Sequence, residues 1–96
     1  MDRRVFAHRG EFALRQVGSE SILVPIRNHV GDLDSVYVMS PVAVRIWSLI
    51  DGVNDVDAIA ARIGDEYDVE PAAAAQDVNE LLSALEEAEL IRRARE

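Results

Sequence analysis

The stretch Ser35-Val36-Tyr37-Val38-Met39-Ser40-Pro41-Val42-Ala43 decides how this chain folds, because the period of the sequence changes inside it. Ser35 to Met39 place Val36 and Val38 on one side and Ser35, Tyr37 and Met39 on the other, the two-residue period of a β-strand. Ser40 then offers a side-chain oxygen to the open donors of a helix start, and Pro41 has a φ already suited to the first helical position. A strand therefore passes directly into a helix. Outward from this junction the chain reads as strands before it and helices after it, which is the α+β class.

Toward the N-terminus, Phe12 to Val17 is the expected first strand. Gly18, Ser19 and Glu20 turn the chain into a second strand, Ser21 to Arg27. Pro25 cannot donate to a ladder, so it belongs at a bulge, a strand end or a non-bonded position. The polar stretch Asn28 to Asp34, with Gly31, is a loop. Toward the C-terminus, the first helix runs from Pro41 to Ile50 and Asp51-Gly52 ends it. Asn54 or Asp55 caps a second helix from Val56 to Glu66, where Val56, Ile59, Ala60 and Ile63 recur at helical spacing, and Tyr67 and Val69 pack beneath the next connection. Pro71 opens a third helix to Glu89 with Ala75, Val78, Leu81, Leu82, Leu85 and Ala88 along its apolar stripe. Leu90 and Ile91 close the core. Residues 1–10 and 92–96 are expected to be flexible arms on one domain spanning 1–96.

Ninety-six residues, 49% of them apolar, suit one modest core and leave no room for a deep catalytic cleft. Cysteine is absent, which removes disulfides, thiolate catalysis and cysteine-ligated zinc together. No run of apolar residues is long enough to cross a bilayer, and the start leads into no secretory segment, so a cytoplasmic chain with no membrane partner is expected. The two histidines, His8 and His29, have no metal-ligand spacing and read as solvated arm or loop residues. Asp65, Glu66, Asp68 and Glu70 lack the spaced pattern of a calcium loop and read as a solvated, helix-capping cluster. Trp47 reads as a core residue with its indole edge near the surface. No catalytic residue, metal or cofactor is expected.

All ten basic residues are arginine, and they gather at the ends. Met1 to Gly31 carries five Arg against three acids, and Leu90 to Glu96 three against one. Between them, Asp32 to Glu89 holds two Arg and fourteen acids. The third helix has no basic residue and five acids, Asp77, Glu80, Glu86, Glu87 and Glu89. DNA binding draws much of its strength from cations at phosphates, so a winged-helix DNA-binding regulator is the weaker alternative and no nucleic-acid partner is expected.

The ordered landmarks resemble those of the PqqD-like proteins, also called RiPP recognition elements. Val36 to Ala43 is similar to that family's strand and helix start. Ile46, Trp47, Leu49, Ile50, Asp51 and Gly52 resemble its helix end, and Asp55-Val56-Asp57-Ala58-Ile59 its next cap. Tyr67-Asp68-Val69 and Asp77-Val78 follow in order, ahead of Leu81, Leu82 and Leu85. The resemblance implies a winged-helix-like fold, a three-stranded antiparallel sheet followed by three helices. It also implies a function: binding the leader segment of a ribosomally made precursor peptide by strand addition and presenting it to a separate modifying enzyme such as a radical SAM maturase. The peptide-binding residues are then Ser35, Val36, Tyr37, Val38 and Met39 on the strand, with Val78, Leu81, Leu82 and Leu85 on the third helix. The strand carries no charge between Ser35 and Met39, so its edge is unguarded. The same edge could pair with a second copy, and a homodimer or pure assembly domain is the other alternative.

Overall fold

The computed structural model describes residues 2–25 and 37–95. Ser35, Val36, His29, the Asn28 to Asp34 loop and residues 26–27 of the expected second strand lie outside the described residues. The elements, in order, are β1 (Val5–His8), β2 (Phe12–Val17), β3 (Glu20–Pro25), β4 (Tyr37–Met39), α1 (Pro41–Leu49), α2 (Val56–Tyr67), α3 (Pro71–Glu87) and β5 (Ile91–Arg95). A three-stranded antiparallel sheet has the order β2-β3-β4. β1 and β5 form a separate antiparallel ribbon.

Local chemistry explains where each element begins and ends. Gly18 takes φ +63 at the first of two loop positions, the placement that joins strands with the correct twist, and so β2 and β3 close as a tight hairpin. Pro25 is the last residue of β3, one of the positions where its missing donor does no harm. Ser40 accepts from the Ala43 amide at 3.1 Å and Pro41 opens α1. Of the two candidate caps for α2, Asp55 is used, and it accepts from the Ala58 amide at 2.8 Å. Asp51 takes the amides of Val53 and Asn54 in the connection. α3 stops at Glu87, two residues short of the expected end, because Glu89 adopts φ 63. The Leu90 amide returns to the Leu85 carbonyl at 2.9 Å, and the Glu89 amide to that of Glu86 at 3.0 Å, closing a Schellman turn.

The ends of the chain correct the expectation of loose arms. Val5 and Phe6 are 2% and 1% exposed, and Ile91 is 1% exposed. Phe6 stands opposite Arg93 and His8 opposite Ile91. The far edge of β1 is used as well. Arg4 and Asp2 carbonyls accept the Val56 and Asp57 amides at 3.0 and 3.1 Å, and the Phe6 carbonyl accepts the Gly52 amide at 2.9 Å. The first open donors of α2 thus find partners in the N-terminal segment, an arrangement a free arm could not supply.

One core joins these parts: Phe6, Leu23, Met39, Ile46, Trp47, Ile50, Val56, Ile59, Ile63 and the inner stripe of α3 pack together with Leu90 and Ile91. Each large apolar side chain buried there contributes on the order of 1.5–3 kcal/mol. Val69 is partly buried against the core as expected, whereas Tyr67 is 40% exposed rather than tucked beneath the connection. In α3 the buried stripe begins at Ala74, one residue before the expected Ala75, which is half-buried, and Ala88 is exposed at the helix end.

Candidate functional site

β4 sits at one edge of the three-stranded sheet, paired to β3 through Tyr37 with Leu23, Val38 with Ile22 and Met39 with Ser21. Met39 is 3% exposed, and Tyr37 packs partly buried against the core, so both point inward. Val38 points outward and is 53% exposed. The direction of its backbone groups follows from the hairpin. A two-residue turn is closed by a hydrogen bond between its flanking residues, here Val17 and Glu20. Bonded and non-bonded pairs alternate along antiparallel strands. Ile22 therefore bonds toward β2, Ser21 and Leu23 bond toward β4, and Val38 is left in a non-bonded pair. Its N–H and C=O face away from β3, along the outer edge of the sheet. Among the described residues β4 has no strand partner on that side.

Of the expected peptide-binding residues, the structure brings Tyr37, Val38 and Met39 into this strand, while Ser35 and Val36 lie outside the described residues. Helix three corrects the expectation. Val78, Leu82 and Leu85 are 0%, 2% and 0% exposed, so they hold the core together and offer no surface to a guest. Leu81 alone of the four is half-buried, with one side against the core. The helical period gave one stripe without distinguishing its buried centre from its margin.

A second feature was missed by the sequence reading. His8 is partly buried, not a solvated arm residue: its ring stacks on Trp47 with centroids 3.7 Å apart and planes at 9°, and its Nε2 lies 3.1 Å from the Trp47 carbonyl. Phe12 meets the Trp47 ring edge-on at 5.2 Å. Trp47 itself is 5% exposed. Burial pushes the His8 imidazole below its ordinary pKa, opposed by its bond to the Trp47 carbonyl and by the charge of Asp51. The neutral ring donating from Nε2 fits this position. The cluster fastens β1, the start of β2 and α1 together, and α1 in turn is tied to α2 by the bidentate pair of Arg45 with Glu66, at 2.8 and 2.7 Å. Arg45, with Arg62 beside it, pulls the Glu66 carboxyl down to about 2. Neither group of residues forms a metal site: among the described residues no cluster of three metal-ligating side chains occurs. No helix among them is long and apolar enough to cross a membrane.

These elements define a class: a small α+β fold in which a three-stranded antiparallel sheet, with β4 at one of its edges, leads into three helices. The family described as coenzyme PQQ synthesis protein D (PqqD) matches residues 20–91. The chain belongs to the PqqD family. Among solved structures, TbiB1 in complex with the TbiA(beta) leader peptide is similar over 90% of this chain and 94% of that one, with a TM-score of 0.67 and 22% sequence identity. No curated protein matches the chain.

Proposed function

We propose that this protein binds the leader segment of a ribosomally synthesised precursor peptide by strand addition to β4, and presents the remainder to a separate modifying enzyme, a radical SAM maturase. It supplies binding and effective concentration and no bond chemistry. The observation that carries the reading is Val38, whose backbone donor and acceptor lie on an uncharged outer edge of the sheet. A guest strand satisfies those groups and sets alternate side chains beside Val38, with the intervening ones on the inner face of the sheet. Membership of the family and the fold shared with a leader-bound protein support it. The acid-rich α3 supports a peptide guest over a nucleic acid.

The test is an NMR titration with synthetic leader segments of candidate precursor peptides, repeated on V38P and V38A. Because the Val38 amide faces outward, proline there removes the guest's donor while sparing the ladder to β3. Binding lost in V38P and retained in V38A supports strand addition. Shifts confined to surfaces away from β4 and Leu81 would reject it, and a dimer unaffected by peptide would favour assembly through the same edge.

A further inference from the structure

At the edge of the three-stranded sheet opposite β4 lies β2, six residues long against three in β4. Among the described residues it pairs with β3 alone. Leu14 is 42% exposed, and Arg15, Gln16 and Val17 are exposed beside it. The bonded pair of Val17 with Glu20 at the hairpin turn sets the alternation along the strand. Arg15 with Ile22 and Ala13 with Val24 are then bonded pairs, and Leu14 with Leu23 and Gln16 with Ser21 are not. The N–H and C=O groups of Leu14 and Gln16 therefore point away from β3, about 7 Å apart along the strand. Sheet edges are commonly blunted by proline or by charge, yet from Phe12 to Val17 there is no proline and one charge, Arg15.

The side chains of this edge complement themselves. On the inner face of the sheet Tyr37, Leu23 and Leu14 stand in one row across β4, β3 and β2. Leu23 is 1% exposed, and the row runs out at Leu14 on the margin. Two copies of β2 lying antiparallel about a two-fold axis can join their outward groups in either of two registers near the middle of the strand. One sets Arg15 opposite Arg15, a like-charge pair that is destabilising. The other sets Leu14 opposite Leu14, moves each Arg15 opposite Ala13 of the facing strand, and bonds Gln16 to Phe12. In that register the apolar row continues from Tyr37 of one copy, through both Leu14 side chains, to Tyr37 of the second.

We propose that two copies of this chain associate through β2, antiparallel about Leu14, so that their sheets join into one of six strands. Two-fold symmetry makes every bond of the contact twice. Pairing six residues is a contact below the size of stable interfaces, so the dimer forms at roughly 0.1–1 mM protein. Each copy carries a net charge of −8, so the dimer tightens as added salt screens the repulsion. The two β4 strands fall at the outer ends of the joined sheet, and their outer edges stay available in both copies.

The test uses the full chain, which has no cysteine of its own. A bonded antiparallel pair holds its Cα atoms about 5.5 Å apart, within reach of a disulfide, so L14C under mild oxidation gives a disulfide-linked dimer. Q16C is the control: the register keeps the two Gln16 positions more than about 13 Å apart, and it links far more slowly. Q16P, which removes an outward amide, raises the dissociation constant measured by sedimentation at least about ten-fold over Q16A, which removes only the side chain. In the wild-type chain, amide exchange at Leu14 and Gln16 slows as protein concentration rises, a readout independent of how the variants fold. V38P leaves the dimer intact, which separates it from assembly through β4. Equal linking of L14C and Q16C, exchange at those two amides that ignores concentration, or a dimer lost in V38P overturns the proposal.

Discussion

Replacing Phe6 by alanine measures how far the N-terminal segment belongs to the fold. Phe6 is 1% exposed inside the core, and the guanidinium carbons of Arg4 and Arg93 lie 5.6 and 5.9 Å from its ring. Removing a buried phenyl ring costs about 3–5 kcal/mol through lost transfer energy and the cavity left behind. Each cation over the ring adds roughly 0.5–1 kcal/mol at such partly exposed sites. F6A should therefore lose about 4–7 kcal/mol, a large part of the roughly 5–15 kcal/mol that holds a small protein folded. With a urea slope of about 1.5 kcal/mol per molar, the midpoint falls by about 2.7–4.7 M. Trp47 fluorescence and far-UV circular dichroism, recorded together, follow the transition. Val17, 57% exposed in the hairpin, is the control, and V17A should stay within about 0.5 kcal/mol of wild type. If F6A also stays within about 1 kcal/mol, the β1/β5 ribbon is not integral to the fold.

Three further outcomes follow from local geometry. Glu89 holds a left-handed conformation that costs a residue with a Cβ about 1–2 kcal/mol, so E89G should raise the melting temperature although it removes side-chain atoms. His8 has its pKa lowered in the fold, so the unfolded chain takes up the proton first: its contribution is whole above about pH 6.5 and is lost as pH falls toward the folded pKa. Urea midpoints should decline through that window in wild type and stay level in H8F. Glu66 is pulled from 4.5 to about 2, so its contribution is whole above pH 4.5 and is lost as pH falls toward 2. R45A should flatten that acid limb in a pH series of thermal melts.

The sequence made the middle of the molecule legible and its ends opaque. β2 is found at its expected bounds, and α1, α2 and α3 begin at Pro41, Val56 and Pro71, because caps and prolines act through neighbours within four residues. The ribbon depends on a pairing between residues more than eighty positions apart, and Arg92 and Arg93 look like a solvated tail until Phe6 and Ile91 are placed in the core. His8 was misread for the same reason, since its partners Trp47 and Phe12 come from two other elements. At the candidate site, the period of β4 gave the faces of Tyr37, Val38 and Met39 correctly. The direction of the Val38 backbone groups depends on the hairpin turn at Gly18, which a reading of β4 alone does not contain. For α3, periodicity supplied an apolar stripe, and only packing separates Leu81 from Val78, Leu82 and Leu85.

The antiparallel pairing of β1 with β5 sets Val5 opposite Arg95, so the chain enters and leaves this ribbon at the same end. The mechanical consequence is a zipper. Tension applied through both termini loads the rungs one after another, beginning at Val5 and Arg95, and each breaks before the next bears weight. Tension between Arg95 and the Gly18 hairpin is not confined to that opening end. A force-clamp comparison of the two attachment geometries should find the first yielding at the lower force, with the Phe6 contacts failing early and the hairpin of β2 and β3 outlasting them.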